Sequence, residues 1–179
     1  MSLPCTSPLT PYASADCFEQ YAGGVNATVI FVTALPIDPS DGVEVQALID
    51  SGDAVLMPFM KIGINEPSPI NAESLISCAS EITTNYDRSI SLMDAKVVDE
   101  NITYYNSLNA STGFAAIGML LPNCDDATRS FYVEETIRFE GGLIVPDNDN
   151  AEPQHFSFNA KYRAKSDPSL VTTPTGIFS

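Results

Sequence analysis

The residue types that most often catalyse reactions or bind metals are sparse in this chain of 179 residues. His155 is its single histidine, and its four cysteines form no C-x-x-C pair, so we expect no zinc site. A cysteine nucleophile would require Cys78 or Cys124 to meet His155 in space. Because His155 falls on the polar side of an alternating segment, the pattern predicts a surface histidine rather than a catalytic base.

Carboxylates are plentiful, but their spacing fits turns and helix ends better than chemistry. Residues 147–152, DNDNAE, begin like a calcium loop, yet Ala151 stands where a ligand belongs, and the glycine and distal glutamate are missing. The carboxylates of residues 41–53 fit a solvated surface, and those of residues 98–101 fit the first turn of a helix. A hydrolase that uses carboxylates alone stays an alternative, although no pair stands out.

Motifs that bind nucleotides or build a nucleophile elbow are absent from the sequence. Neither G-x-G-x-x-G, nor G-x-x-x-x-G-K-[ST], nor G-x-S-x-G occurs. We therefore expect a non-enzymatic protein that holds no cofactor and no metal.

Composition indicates a folded, acidic protein. Hydrophobic residues make up 44% of the chain and charged residues 17%, which argues against disorder. The formal net charge of −15 repels phosphate and so argues against wrapping of a nucleic acid, although DNA can still slide past an acidic wall. The N-terminal 17 residues lack the basic and apolar regions of a secretion signal, and the apolar runs are too short to span a bilayer. We expect synthesis in a cytoplasm, no membrane partner and reduced cysteines.

Positive charge collects at one end of the chain. Residues 1–160 hold 22 Asp and Glu against five Lys and Arg, whereas residues 161–179 hold one Asp against three cations. These cations, Lys161, Arg163 and Lys165, are the candidate subunit-interface residues, because unlike ends of an acidic protein attract and favour head-to-tail contacts. The alternative is that they only solubilise an edge strand.

Hydrophobic periodicity predicts a chain dominated by strands. Residues 81–93 alternate and predict a long strand with a wet face of Ser, Thr and Asn. Residues 113–121 are apolar on both faces and predict a central strand, and residues 97–108 predict an amphipathic helix. Residues 53–64 predict a strand that lies at an edge or carries a bulge, because Pro58 cannot donate to a ladder.

The clearest structural prediction is a long hairpin over residues 130–164, with a turn at residues 146–153. In its second arm Phe156 and Phe158 point inward. Upstream, residues 26–35 predict another strand, and residues 43–52 fit either a short helix or a strand.

These elements predict an α+β protein that is mostly antiparallel β. The layout is a β-sandwich or small barrel with one flanking helix and a long C-terminal hairpin. We expect an extended N-terminal arm over residues 1–24, a β-rich assembly domain over residues 25–168, and a C-terminal tail over residues 169–179.

This layout over residues 25–168, with a helix before the final strands, resembles the tail tube proteins of tailed bacteriophages, and the ending FSFNAKYRAKSDPSL resembles the closing strand of phage virion proteins. The resemblance implies a structural protein of the virion that forms stacked rings with copies of itself and contacts other virion proteins. It also implies an acidic sheet face that lines a lumen for DNA passage, and loops, 36–44 or 141–153, that reach the next ring. Neck, head-completion and capsid-decoration proteins stay alternatives, as does a ligand- or carbohydrate-binding β-sandwich module.

Overall fold

The computed structural model describes residues 26–72, 82–123, 125–147 and 153–178. The predicted N-terminal arm, all four cysteines and most of the calcium-loop-like segment lie outside these residues, so the expectations about them stay predictions.

Within the described residues the chain forms nine strands and two α-helices. The strands are β1 (Asn26–Phe31), β2 (Ala54–Ile64), β3 (Ser68–Ala72), β4 (Ile82–Asp94), β5 (Gly118–Pro122), β6 (Arg129–Val133), β7 (Arg138–Ile144), β8 (His155–Ala164) and β9 (Ser169–Thr172). The helices are α1 (Gly42–Ser51) and α2 (Asp99–Leu108), the latter followed by a 3-10 turn at Ala110–Thr112.

The strands form two packed sheets in which every ladder is antiparallel, so the predicted fold class is confirmed. The first sheet has the order β2-β1-β5-β6-β9, and the second has the order β7-β8-β4-β2, with β3 also paired to β4. Strand β2 belongs to both sheets, because its first part pairs with β1 and Lys61–Ile64 pairs with β4. The register against β1 shifts between Met57 and Met60, which brackets Pro58 and confirms the predicted bulge.

The main core lies between the two sheets. Alternate residues of the second sheet, such as Ile90 of β4 and Phe158 of β8, face it and are buried. Helix α2 closes this core with Tyr105, whose ring lies 4.4 Å from that of Phe156 and 5.1 Å from that of Phe158. Close aromatic pairs of this kind stabilise a core beyond the area that they bury.

A second apolar cluster covers the opposite side of the first sheet. Phe31 and Leu120 point away from the main core and pack with Val45 of α1 and with Ile177 near the C-terminus. The molecule is therefore layered: α1 and the C-terminal segment, then the first sheet, then the main core, then the second sheet.

Helix α1 resolves the open choice for residues 43–52 in favour of a helix. Asp41 is its N-cap and accepts a hydrogen bond from the Val43 amide at 2.9 Å, and Gly52 ends it with a φ of 83°. A carboxylate N-cap and a left-handed glycine are the usual signals that begin and end a helix.

The predicted hairpin is shorter than expected, and this is a correction. The paired arms are β7 and β8, from Arg138 to Ala164, whereas residues 130–133 belong to β6 in the first sheet. The chain changes sheets at residues 134–137. Both sheets face the same core, so Val133 before the crossover and Phe139 after it keep the same alternation, and the sequence pattern conceals the change.

The predicted boundary after residue 168 is also wrong. Residues 169–172 form β9, which pairs with β6, and Ile177 is buried in the second cluster. The β-rich domain therefore extends through the segment that was predicted to be a tail.

Candidate functional site

The outer face of the second sheet is polar and faces away from both apolar clusters. We call it the polar sheet face, and its charged and polar side chains are Lys61, Asp87, Ser89, Ser91, Arg138, Glu140, Ser157, Asn159, Lys161 and Arg163. It holds four of the eight cations of the chain against two carboxylates. The resemblance implied an acidic sheet face, and this one carries more positive than negative charge.

Strand register brings opposite charges together on this face. Arg163 Nε lies 2.7 Å from Asp87 Oδ1, and Lys161 Nζ lies 2.5 Å from Glu140 Oε2. All four side chains are more than half exposed, and exposed pairs contribute at most about 1 kcal/mol each. Two of the three predicted interface cations therefore lie together on one face, where they already have partners in the same chain.

The remaining cations differ in their surroundings. Lys165, the third predicted interface residue, lies in the exposed turn after β8 rather than on the polar sheet face. Lys61 and Arg138 are exposed on that face, and neither takes part in the three ion pairs found in the described part of the chain. Neither was predicted from the sequence, because only the strand register places them on the same sheet face as Lys161.

The centre of the polar sheet face consists of short, uncharged side chains. Asn65 Nδ2 donates hydrogen bonds of 2.9 Å to Ser89 Oγ and to Ser91 Oγ, and Ser91 Oγ lies 3.3 Å from Asn159 Oδ1. The wet face of Ser, Thr and Asn predicted for β4 is thus present, and its small side chains form a shallow floor between the cations.

Arg88 was missed by sequence analysis. It lies on the core side of β4 and is only 8% exposed. Its guanidinium contacts Asp167 at 2.5 Å, donates to the Ala164 carbonyl at 3.2 Å, and lies 5.2 Å from the centre of the Tyr86 ring. The only signal in the sequence was its position in the alternating pattern, at a point where an apolar residue was expected.

His155 is buried, at 5% exposure, so the expectation of a surface histidine is wrong. Its Nδ1 donates to the Pro153 carbonyl oxygen at 2.9 Å. The alternation correctly predicts which face most β8 residues occupy. His155 is the exception, because it is the first residue of the strand and its ring is hydrogen-bonded to Pro153 in the preceding segment. Among the described residues no group of three or more His, Cys, Asp or Glu side chains is placed to bind a metal.

The layer of α1 is acidic. Residues 36–53 contain no Lys or Arg and five carboxylates, which are Asp38, Asp41, Glu44, Asp50 and Asp53. Glu44 accepts hydrogen bonds from the amides of Ile37 at 2.7 Å and Asp38 at 3.0 Å, so it fixes the loop before the helix. Hydrogen bonds from Ser40 lower the pKa of Asp38, and those from Ser51 and then Thr33 lower the pKa of Asp53. Both carboxylates therefore stay charged at neutral pH.

Two large apolar side chains stand among these charges. Ile37 is 97% exposed and Val43 is 80% exposed. Burial of these two side chains against another molecule would be favourable. The acidic layer lies on the outside of the first sheet and the polar sheet face on the outside of the second, so opposite charges occupy opposite sides of the molecule.

The free edges of the sheets are poorly suited to adding another strand. β3 carries Pro69 at its edge, Asn109 Nδ2 binds the Gly141 carbonyl on β7 at 2.8 Å, and a guanidinium nitrogen of Arg129 binds the Leu170 carbonyl on β9 at 3.0 Å. Proline and side-chain caps remove the backbone groups that a neighbouring strand would pair with. Contacts with other molecules are thus more easily made by faces than by edges.

No helix in the described residues is long and apolar enough to cross a membrane. No family model matches the chain, and no curated protein matches it.

Proposed function

We propose that this chain is a non-enzymatic structural protein that assembles with copies of itself, the acidic α1 layer of one copy packing against the polar sheet face of the next. The observation that carries the proposal is the separation of charge across the two sheets. Residues 36–53 carry only negative charge, and four cations occupy the opposite side. Complementary patches of this kind attract copies and fix their orientation.

An interface between two different faces is heterologous. Such an interface closes into a ring when the rotation between copies permits it, and otherwise gives an open filament. Stacked rings of a phage tail tube are the assembly that the resemblance favours, and a virion is then where the protein resides. Neck, head-completion and capsid-decoration proteins remain alternatives that use the same kind of contact.

The two loops that the resemblance assigns to ring stacking both expose apolar side chains. Loop 36–44 presents Ile37 and Val43, and loop 141–153 presents Leu143, Ile144 and Val145, which are 43% to 60% exposed. Burial of such side chains in a neighbouring copy would add hydrophobic stabilisation to the charge contact. In this arrangement the α1 layer and the polar sheet face are both covered by neighbouring copies, so a lumen for DNA would be lined by other surfaces of the molecule.

A carbohydrate-binding module has less support from the described surface. Such modules need exposed aromatic rings for stacking on sugars, and every aromatic side chain described here is buried or partly buried. The self-assembly proposal therefore takes precedence.

Sedimentation velocity and negative-stain microscopy test the proposal directly. The screening length falls from about 10 Å at 0.1 M salt to about 3 Å at 1 M, so we expect rings or filaments at low salt that shrink to smaller species at high salt. A monomer at every protein concentration and at both salt concentrations would contradict the proposal. Microscopy of the assembled form then distinguishes a tube from the other virion parts.

A further inference from the structure

A groove of about 760 Å³ runs along the acidic layer between α1 and the C-terminal segment. Its lining includes the exposed stripe of the helix, Val43, Gln46, Ala47 and Asp50, together with Asp41 and the buried Ile177. The floor is thus partly apolar and a carboxylate stands at each end. Such a site accepts a pair of cations carried by aliphatic stems.

Both carboxylates have acceptor capacity left. Asp41 uses Oδ1 to cap α1, and Asp50 uses Oδ1 to accept from Gln46 Nε2 at 2.8 Å. In the described residues no donor binds the second oxygen of either one. A charged donor from another molecule can therefore bind each carboxylate without breaking a contact within the chain.

The polar sheet face of a second copy has two cations that could pair with these carboxylates. Lys61 and Arg138 are exposed and lie outside the ion pairs of the described residues. The floor between them is the low Ser and Asn surface, so a helix ridge can approach closely. We infer that Asp41 and Asp50 in the groove of one copy bind Lys61 and Arg138 of the next copy, with Val43 packed between them.

The spacings are compatible. Asp41 and Asp50 are nine residues apart, which is about 14 Å along a helix. Through the register Lys61, Met93, Ser157 and Gly142, Lys61 lies level with Gly142 three strands away. Arg138 is four residues further along β7, which places the two Cα atoms about 20 Å apart. Long Lys and Arg side chains can close the difference of about 6 Å.

This inference rests on the proposed self-assembly, and charge-swap variants test it separately. Asp50→Lys should weaken association about tenfold or more. It should not harm the fold, because a lysine in the last turn of a helix is favourable. Mixing this variant with an Arg138→Glu or a Lys61→Glu chain should restore association, because each altered face then meets a complementary one. Asp41→Asn, which keeps the N-cap and removes the charge, should also weaken association.

Lys165→Glu is the matched control, since Lys165 is exposed but lies off the polar sheet face. Association is measured by light scattering at several concentrations. Restoration by Arg138→Glu or by Lys61→Glu, and not by Lys165→Glu, supports the pairing. Restoration by neither, or equally by the control, overturns it. If the unmodified protein assembles while the swaps fail, only the groove pairing falls; if it stays monomeric, the proposed function falls as well.

Discussion

Arg88 Nη1 lies 2.5 Å from Asp167 Oδ1, and this pair ties the core side of β4 to the turn that leads into β9. The two partners differ sharply in exposure, at 8% and 84%. Arg88 is thus a buried cation whose partner, Asp167, is an exposed carboxylate.

We expect Arg88→Ala to be far more destabilising than Asp167→Asn. The first change removes the ion pair, the bond to Ala164 and the contact with Tyr86, at a cost of about 2–3 kcal/mol. The second keeps the bond from Arg88 to the Ala164 carbonyl and leaves an amide oxygen at position 167 that can still accept, so it should cost less, about 1 kcal/mol. Urea denaturation of both variants measures the difference, and equal losses would contradict this account of the pair.

Gly42→Ala should loosen the C-terminal segment. A Cβ at Gly42 would collide with the carbonyl oxygen of Thr175, whereas a Cβ at Gly63 meets no atom within 4 Å. We expect a loss of about 2 kcal/mol for Gly42→Ala and a change within about 0.5 kcal/mol for the control Gly63→Ala. Thermal melting of the two variants tests this, and similar melting temperatures would argue against a tight contact at Gly42.

Lys161→Glu with Arg163→Glu should weaken self-association while the fold persists. The exposed pairs of these cations with Glu140 and Asp87 contribute little to folding, but reversing two charges makes the polar sheet face acidic. The control swaps Lys161 and Glu140, which preserves both their pair and the charge of the face. Sedimentation should give a smaller assembly for the first variant only, with circular dichroism unchanged in both.

The raised pKa of Tyr132 leads us to expect a loss of stability at alkaline pH. Burial, and then the charge of Glu134, raises the pKa of Tyr132 to about 12, above the unfolded value of about 10. A raised folded pKa gives stability that is complete below pH 10 and is lost as the pH rises toward 12. Tyr132→Phe should therefore flatten the decline between these values. Denaturation at pH 9, about 10.5 and about 11.5 measures it, and an unchanged slope would show that Tyr132 is not responsible.

Much of the fold can be predicted from sequence periodicity, and the predictions that were wrong have physical causes. Alternation gives the inward face of β8 from Phe156 to Tyr162, because one side of the strand packs in a core. The same alternation runs unbroken across the crossover after Val133, since both sheets share that core. Arg88 breaks the pattern, because a buried cation depends on Asp167, 79 residues away.

The candidate surfaces depend on information that no local pattern contains. Lys61, Arg138 and Lys161 share a face only because β2, β4, β8 and β7 pair in one particular register. The sequence did point to Lys161 and Arg163 through the charge imbalance near the C-terminus. It could not show that their partners are Glu140 and Asp87 in the same chain, or that the acidic residues of α1 lie on the other side of the molecule.

Strand β2 has a consequence for how the molecule yields to force. It is a single strand that forms a ladder with β1 along its first part and with β4 along its last part. Neither sheet can therefore separate from the other without straining this strand. Tension between the two outer surfaces, as a growing polymer would impose, is therefore transmitted through one continuous backbone as well as through side-chain packing. The two sheets should therefore respond to stretching as one mechanical unit.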